Sequence, residues 1–218
     1  GSNKLFSCFH EFLNSQGMIA KEGSIIDASF VEAPKQRNSR EQNKQIKEGK
    51  RPDGFEETSN KGAQKDCEAR WTKKSNETHF GYKNHAKVDA KSKLIDSYAT
   101  TPANVHDSQV FEVLLDEKDK AILGDSAYKS QTNEDILLKR SLEDFTMLKA
   151  NRNAPLSDED KVYNKKVSSI RVRVEHVFGR MKYMGADMFR RIGLKRASQH
   201  NALCNLTYNM DRYAFLQR

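Results

Sequence analysis

Long apolar runs, paired cysteines and internal repeats are all missing from this 218-residue chain. No stretch approaches the roughly 18 to 20 consecutive apolar residues that cross a bilayer, which excludes a helical membrane span in this sequence. The start has no charged-then-apolar signal pattern, so a cytosolic location is expected. Cys8, Cys67 and Cys204 stand alone, with no CxxC spacing. That excludes a cysteine-type zinc site and a disulfide framework and leaves reduced thiols as the default. Gly1-Ser2 reads as a cleavage scar from a tag, so the natural protein is expected to begin upstream.

What the chain does have is charge, unevenly spread. Lys and Arg number 38 against 30 Asp and Glu, a formal net charge of +8. From Lys161 to Arg218 there are 13 basic and 3 acidic residues, so the whole excess lies in the C-terminal quarter. Such a cluster suits a polyanionic partner. A mean hydropathy of -0.85 is polar for a globular protein. With several apolar runs still present, it predicts a core plus a solvated insertion within one domain.

The periodicities give an order of elements. Leu5, Phe6, Phe9, Phe12 and Leu13 are spaced for a short helix over 4–16, and a first strand follows at about 22–32. From Lys35 to Lys74 the chain holds 12 basic and 7 acidic residues and few large apolar ones, which predicts a long polar loop or a poorly ordered insertion. Alternation over 78–89 predicts a strand, and 93–100 its hairpin partner. Asp107 is placed to cap a helix running through Leu115. A strand ending at Asp125, a helix at 131–140 and a strand at 144–149 come next. Ser157-Asp158-Glu159-Asp160 has the form of a capping box that opens a helix to about Met184, with Gly185 as its stop. A last helix is expected over 195–215. This succession implies a mixed sheet flanked by helices, an α/β fold.

Two apolar runs stop at an aspartate: Ile25-Ile26-Asp27 and Ile122-Leu123-Gly124-Asp125. Runs of that kind fill inner strands, where an aspartate is costly unless it is paired or metal-bound. Either residue alone could simply mark a strand end; two alike weaken that reading. Glu175 stands in a basic helical segment with Arg171 at i−4 and Lys182 at i+7, so all three project from one helical face. Three carboxylates from three elements, set among cations, can hold hard divalent ions against a phosphodiester.

In these segments the chain resembles the bacterial insertion-sequence DDE transposases. Arg171, Glu175 and Lys182 match the R, E and K of that family's Y-R-E-K signature, whose tyrosine would fall at Ser168. Segments 79–85 (His79-Phe80-Gly81-Tyr82-Lys83-Asn84-His85) and 101–108 also look like parts of it, and the likeness runs from about 22 to 210. The resemblance implies a ribonuclease-H-like catalytic domain with a long polar insertion after the first strand. The family's N-terminal DNA-binding region is expected to be missing from this sequence. It further implies two Mg²⁺ ions (Mn²⁺ as substitute), with Asp27 bridging both and Asp125 and Glu175 completing the sites. Arg171 and Lys182 would contact phosphates. Water would free a 3′-hydroxyl, which then attacks target DNA. The partners implied are double-stranded DNA, as terminal inverted repeats and target, and a second copy of the chain, in the bacterial cytosol. Two other readings stay open: a ribonuclease-H-like nuclease that only hydrolyses, and a domesticated, inactive DNA-binding protein.

Other residues divide between function and packing. Arg180, Arg190, Arg191, Lys195 and Arg196 form a candidate phosphate track. His79 and His85 are expected on opposite strand faces, which argues against a joint zinc site and for hydrogen bonding or DNA contact. Trp71 is expected to anchor a loop rather than stack on a base. His106 is placed to help start its helix.

Overall fold

The computed structural model describes residues 1–56, 58–74, 76–150 and 155–218. Six strands form one mixed sheet. At its centre β1 (Ser24–Glu32) pairs antiparallel with β3 (Glu77–Asp89) on one side and parallel with β5 (Ala121–Gly124) on the other. Strands β2 (Arg70–Lys74) and β4 (Ile95–Pro102) both run antiparallel to β3, and β6 (Glu143–Thr146) lies parallel to β5. Helices α1 (Ser2–Ser15), α2 (Arg40–Lys47), α3 (Phe111–Leu114), α4 (Gln131–Lys139), α5 (Asp158–Tyr183) and α6 (Leu194–Leu216) flank the sheet. This is the mixed sheet flanked by helices, an α/β fold, that the succession of elements implied.

The centre of the sheet is apolar on both faces, as the Ile25-Ile26 run requires. Ile25 packs with Val88, Leu123 and the α5 residues Val167, Val174, Val177 and Met181. Ile26 points the other way, to Phe111, Leu114, Ile122 and Tyr128. Because side chains alternate along a strand, Asp27 shares the face of Ile25 and looks toward α5.

Helix α5 is set at both ends by its sequence. The Ser157 hydroxyl accepts from the Asp160 N–H while the Asp160 carboxylate accepts from the Ser157 N–H. At the other end Gly185 takes φ +79, where a side chain would be strained. Ile170, expected in the buried stripe, is instead 38% exposed. Helix α6 is pinned by three asparagines at helical spacing. Asn201 donates to the Thr100 hydroxyl, Asn205 exchanges amide bonds with Asn84, and Asn209 takes both the N–H and the carbonyl of Ile95. Under the sheet lies a buried ion cluster: the Lys87 ammonium is 2.7 Å from both Asp96 and Asp119.

Two expectations need correction. The stretch 35–74 contains α2, a 3-10 turn at Gly62–Gln64 and β2. Composition missed α2 because its stability comes from a Ser39–Gln42 capping box and the buried Ile46 rather than from an apolar stripe. The helix expected from Asp107 is a 3-10 turn (Asp107–Val110) running into the one-turn α3, and its cap is the His106 ring, which accepts from the Ser108 N–H. Asp107 bonds the Lys83 ammonium at 2.7 Å instead.

Candidate active site

The parallel pairing of β1 and β5 fixes the site. Ser24 stands opposite Ile122 and Ile25 opposite Leu123. Continued by two residues, that register sets Asp125 opposite Asp27 and on the same face. Neighbouring strands lie about 4.8 Å apart, so the two carboxylates are close. Asp27 accepts from the Ala28 N–H at 2.8 Å and from Arg171 Nη2 at 3.1 Å. Burial pushes its carboxyl pKa up, the Arg171 guanidinium opposes that, and Asp125 adds to the rise. Asp125 follows β5 directly. Its carboxylate accepts from the Ala127 N–H at 2.9 Å, and its carbonyl accepts from the Tyr128 N–H at 3.1 Å, closing a tight turn. Gly124 permits the turn, since a Cβ there would stand 3.2 Å from both the Tyr128 ring and the Thr146 methyl.

Glu175 lies one turn beyond Arg171 on α5 and is exposed. Its neighbours Val174 and Val177 are fully buried, which sets the rotation of the helix and leaves Glu175 on its rim. Among the described residues, no three His, Cys, Asp or Glu side chains are gathered closely enough to hold a metal ion. The structure thus brings Asp27, Asp125 and Arg171 together and leaves Glu175 outside that group. Lys182, two turns past Glu175, borders a groove with Ser29, Phe30 and Phe178.

Three buried polar atoms in this part of the fold have no hydrogen-bond partner: the Tyr128 hydroxyl, Arg171 Nε and His85 Nδ1. Burial pushes the Tyr128 phenol pKa up, and Asp27, Asp107 and Asp125 push it further. The hard oxygen donors of Asp27 and Asp125, with an arginine beside them, fit a divalent cation of the Mg²⁺ class. Tyr128 was missed by sequence reasoning, although its distance of three residues from Asp125 was a usable signal.

The other predicted residues fall in several places. His85 is fully buried and hydrogen-bonded to the Thr101 hydroxyl at 2.8 Å, so it has no surface with which to touch DNA. Burial lowers its pKa to about 4. His79 and His85 share a face of β3, because they are an even number of residues apart, against the expectation of opposite faces. His79 stacks on Phe30 at 3.9 Å and bonds Glu32. Arg180 turns away from the acids and forks onto Asp211 at 2.8 and 3.0 Å. Arg190 and Arg191 are exposed on the connection between α5 and α6, and Lys195 and Arg196 on the first turn of α6. Trp71 packs on Phe80 at 4.8 Å yet stays 42% exposed.

A family model described as the transposase DDE domain matches residues 19–210. Among solved structures, a pre-cleavage Mos1 transpososome aligns at TM-score 0.36 and 10% identity, over 98% of this chain and 59% of that one. The Mos1 strand transfer complex aligns at TM-score 0.33 and 12% identity, over 98% and 58%. The chain therefore spans less than two thirds of the length of either.

Proposed function

This chain belongs to the transposase DDE-domain family, and on that footing we propose that it is a catalytic domain that cuts transposon ends and joins the freed 3′-hydroxyl to target DNA. The observation that carries this reading is the approach of Asp27, on β1, and Asp125, one residue past the parallel strand β5, with Arg171 held against Asp27. Open α/β sheets bind ligands at the carboxyl ends of their parallel strands, and β5 ends one residue before Asp125.

Asp27 and Asp125 would hold divalent ions, Mg²⁺ or Mn²⁺, with Glu175 turning in from the rim of α5 to complete two sites. Bound there, such ions supply Lewis-acid activation and neutralise charge on the phosphodiester. Arg171 does two things: it keeps the Asp27 carboxylate oriented, and it offers a positive charge toward an incoming phosphate. Lys182, on the same edge of α5, extends that charge along the strand being cut. The exposed cations at Arg190, Arg191, Lys195 and Arg196 would follow the DNA backbone. The partner would be double-stranded DNA, both element ends and target, engaged by a homodimer in the bacterial cytosol, with residues 1–218 acting as one domain and 35–74 as its polar insertion.

Calorimetric titration with Mn²⁺ tests the site. Binding is expected for the wild type and loss of binding for Asp125→Ala. Equal affinity in both would sink the assignment. Incubation with supercoiled plasmid and a labelled oligonucleotide bearing a 3′-hydroxyl then tests the chemistry. Nicking with joining supports transposition, whereas nicking alone points to a nuclease that only hydrolyses.

A further inference from the structure

The far flank of α5 carries a second basic site. Arg173, His176 and Arg180 lie on the edge of the helix opposite Arg171, Glu175 and Lys182, as their spacing dictates. There α5, α6 and the turn between β3 and β4 enclose a cleft of about 360 Å³. It is lined by Lys93, His176, Arg180, Arg212 and Arg218, with Asp211 the acid among them.

The cleft is held open by specific contacts. Lys93 sits at φ +63, a left-handed conformation that a lysine adopts only under constraint. The turn's own bond from the Lys93 N–H to the Asp89 carbonyl holds it there, and α6 adds two more: the Tyr208 hydroxyl donates to the Lys93 carbonyl at 2.9 Å, and Arg212 Nε donates to the Ser92 carbonyl at 2.7 Å. These bonds direct the Lys93 ammonium to 3.1 Å from His176 Nδ1. The Arg212 guanidinium is braced over the Phe215 ring at 4.9 Å. Burial lowers the Lys93 pKa, and Arg212 and Arg173 lower it further, so these cations repel one another. Asp211 pairs with Arg180 and also faces Arg218, so among the described residues lining the cleft one acid stands against four Lys and Arg side chains. Lys93, Arg180, Arg212 and Arg218 gathered around an open volume that holds one acid are matched by an oxyanion with several acceptor oxygens.

We propose that this cleft binds a backbone phosphate of a DNA segment other than the one presented to Asp27 and Asp125. The inference rests on the DNA-processing reading above and adds a second contact, on the opposite edge of the same helix. Lysine and arginine contacts of this kind add to affinity without reading sequence.

The test is the salt dependence of binding to a non-specific duplex, followed by fluorescence anisotropy, with Mn²⁺ binding measured in parallel. Lys93→Gln/Arg180→Gln should flatten the slope of log K against log salt by about one. It should leave Mn²⁺ affinity and the circular dichroism spectrum unchanged. Asp211→Asn removes the competing acid and should steepen the slope. Unchanged slopes in both variants, with a wild type that does bind duplex, would overturn the cleft and leave the catalytic reading standing. A wild type that binds no duplex would overturn both. A thermal shift with inorganic phosphate that the double variant loses, alongside an unchanged duplex slope, would make this a site for free phosphate and overturn the DNA assignment.

Discussion

Arg171 reaches from α5 to place Nη2 3.1 Å from the Asp27 carboxylate on β1. It ties the helix that carries the third acid to the strand that carries the first. The pair is largely buried, so the contact is little screened, yet it does not fully offset the cost of burying Asp27.

That imbalance gives a pH signature. A carboxyl whose folded-state pKa is raised ionises more readily in the unfolded chain, so rising pH through the carboxylate range favours unfolding. Asp27→Asn removes this penalty. Metal-free Asp27→Asn protein should melt above wild type at pH 7, with the gap closing as pH falls toward about 4. A lower Tm at pH 7 would mean that Arg171 more than compensates the burial.

Glu175 separates stability from activity. It is exposed and its side chain has no hydrogen bond or ion pair among the described residues, so Glu175→Gln should shift stability by no more than about 0.5 kcal/mol. Plasmid nicking should nevertheless fall at least about a hundredfold. Retained nicking would remove Glu175 from the site.

Tyr128 makes the opposite case. Its ring is fully buried while its hydroxyl has no partner, a desolvation cost of about 1–3 kcal/mol. Phenylalanine keeps the packing and drops the cost. Tyr128→Phe should therefore raise the urea midpoint of the metal-free protein; a fall would reveal a partner for the hydroxyl in solution.

Lys87 is fully buried between Asp96 and Asp119. Lys87→Met leaves those carboxylates facing each other and should cost about 3–5 kcal/mol in urea unfolding. Burial alone would raise the Asp96 pKa, but His10, Lys87 and Lys21 together hold it well below the usual range. Stability from Asp96 is thus present above about pH 4 and lost on further acidification. The variant should show a shallower acid loss than wild type.

Much of this was legible in the chain. The double-sided burial of β1 follows from Ile25-Ile26, the ends of α5 from Ser157, Asp160 and Gly185, and the Asp27–Asp125 pair from two similar apolar runs. What escaped depends on contacts distant in sequence. Helix α2 needs the burial of Ile46. The Asn201–Asn205–Asn209 ladder is read only against β4 and Asn84. His85 was expected to hydrogen-bond or touch DNA, and its burial depends on Thr101 and Asp107, which only the fold brings against it. The rim position of Glu175 was also beyond sequence, since spacing gives the face of a helix but not its distance from the sheet.

The structure of α5 also predicts where this family can change in length. Asp27 sits on β1 and Asp125 directly after β5, two strands whose mutual register is locked by pairing, and residues can be added in the connections between them without disturbing it. Glu175 has no such freedom. One residue inserted between Val167 and Glu175 would rotate everything beyond it by about 100° relative to the buried stripe. Either the acid would swing from the rim or the valines would leave the core. Insertions and deletions among relatives should therefore collect in the stretches before β3, before β5 and before α5, while the spacing from Val167 to Met181 stays constant.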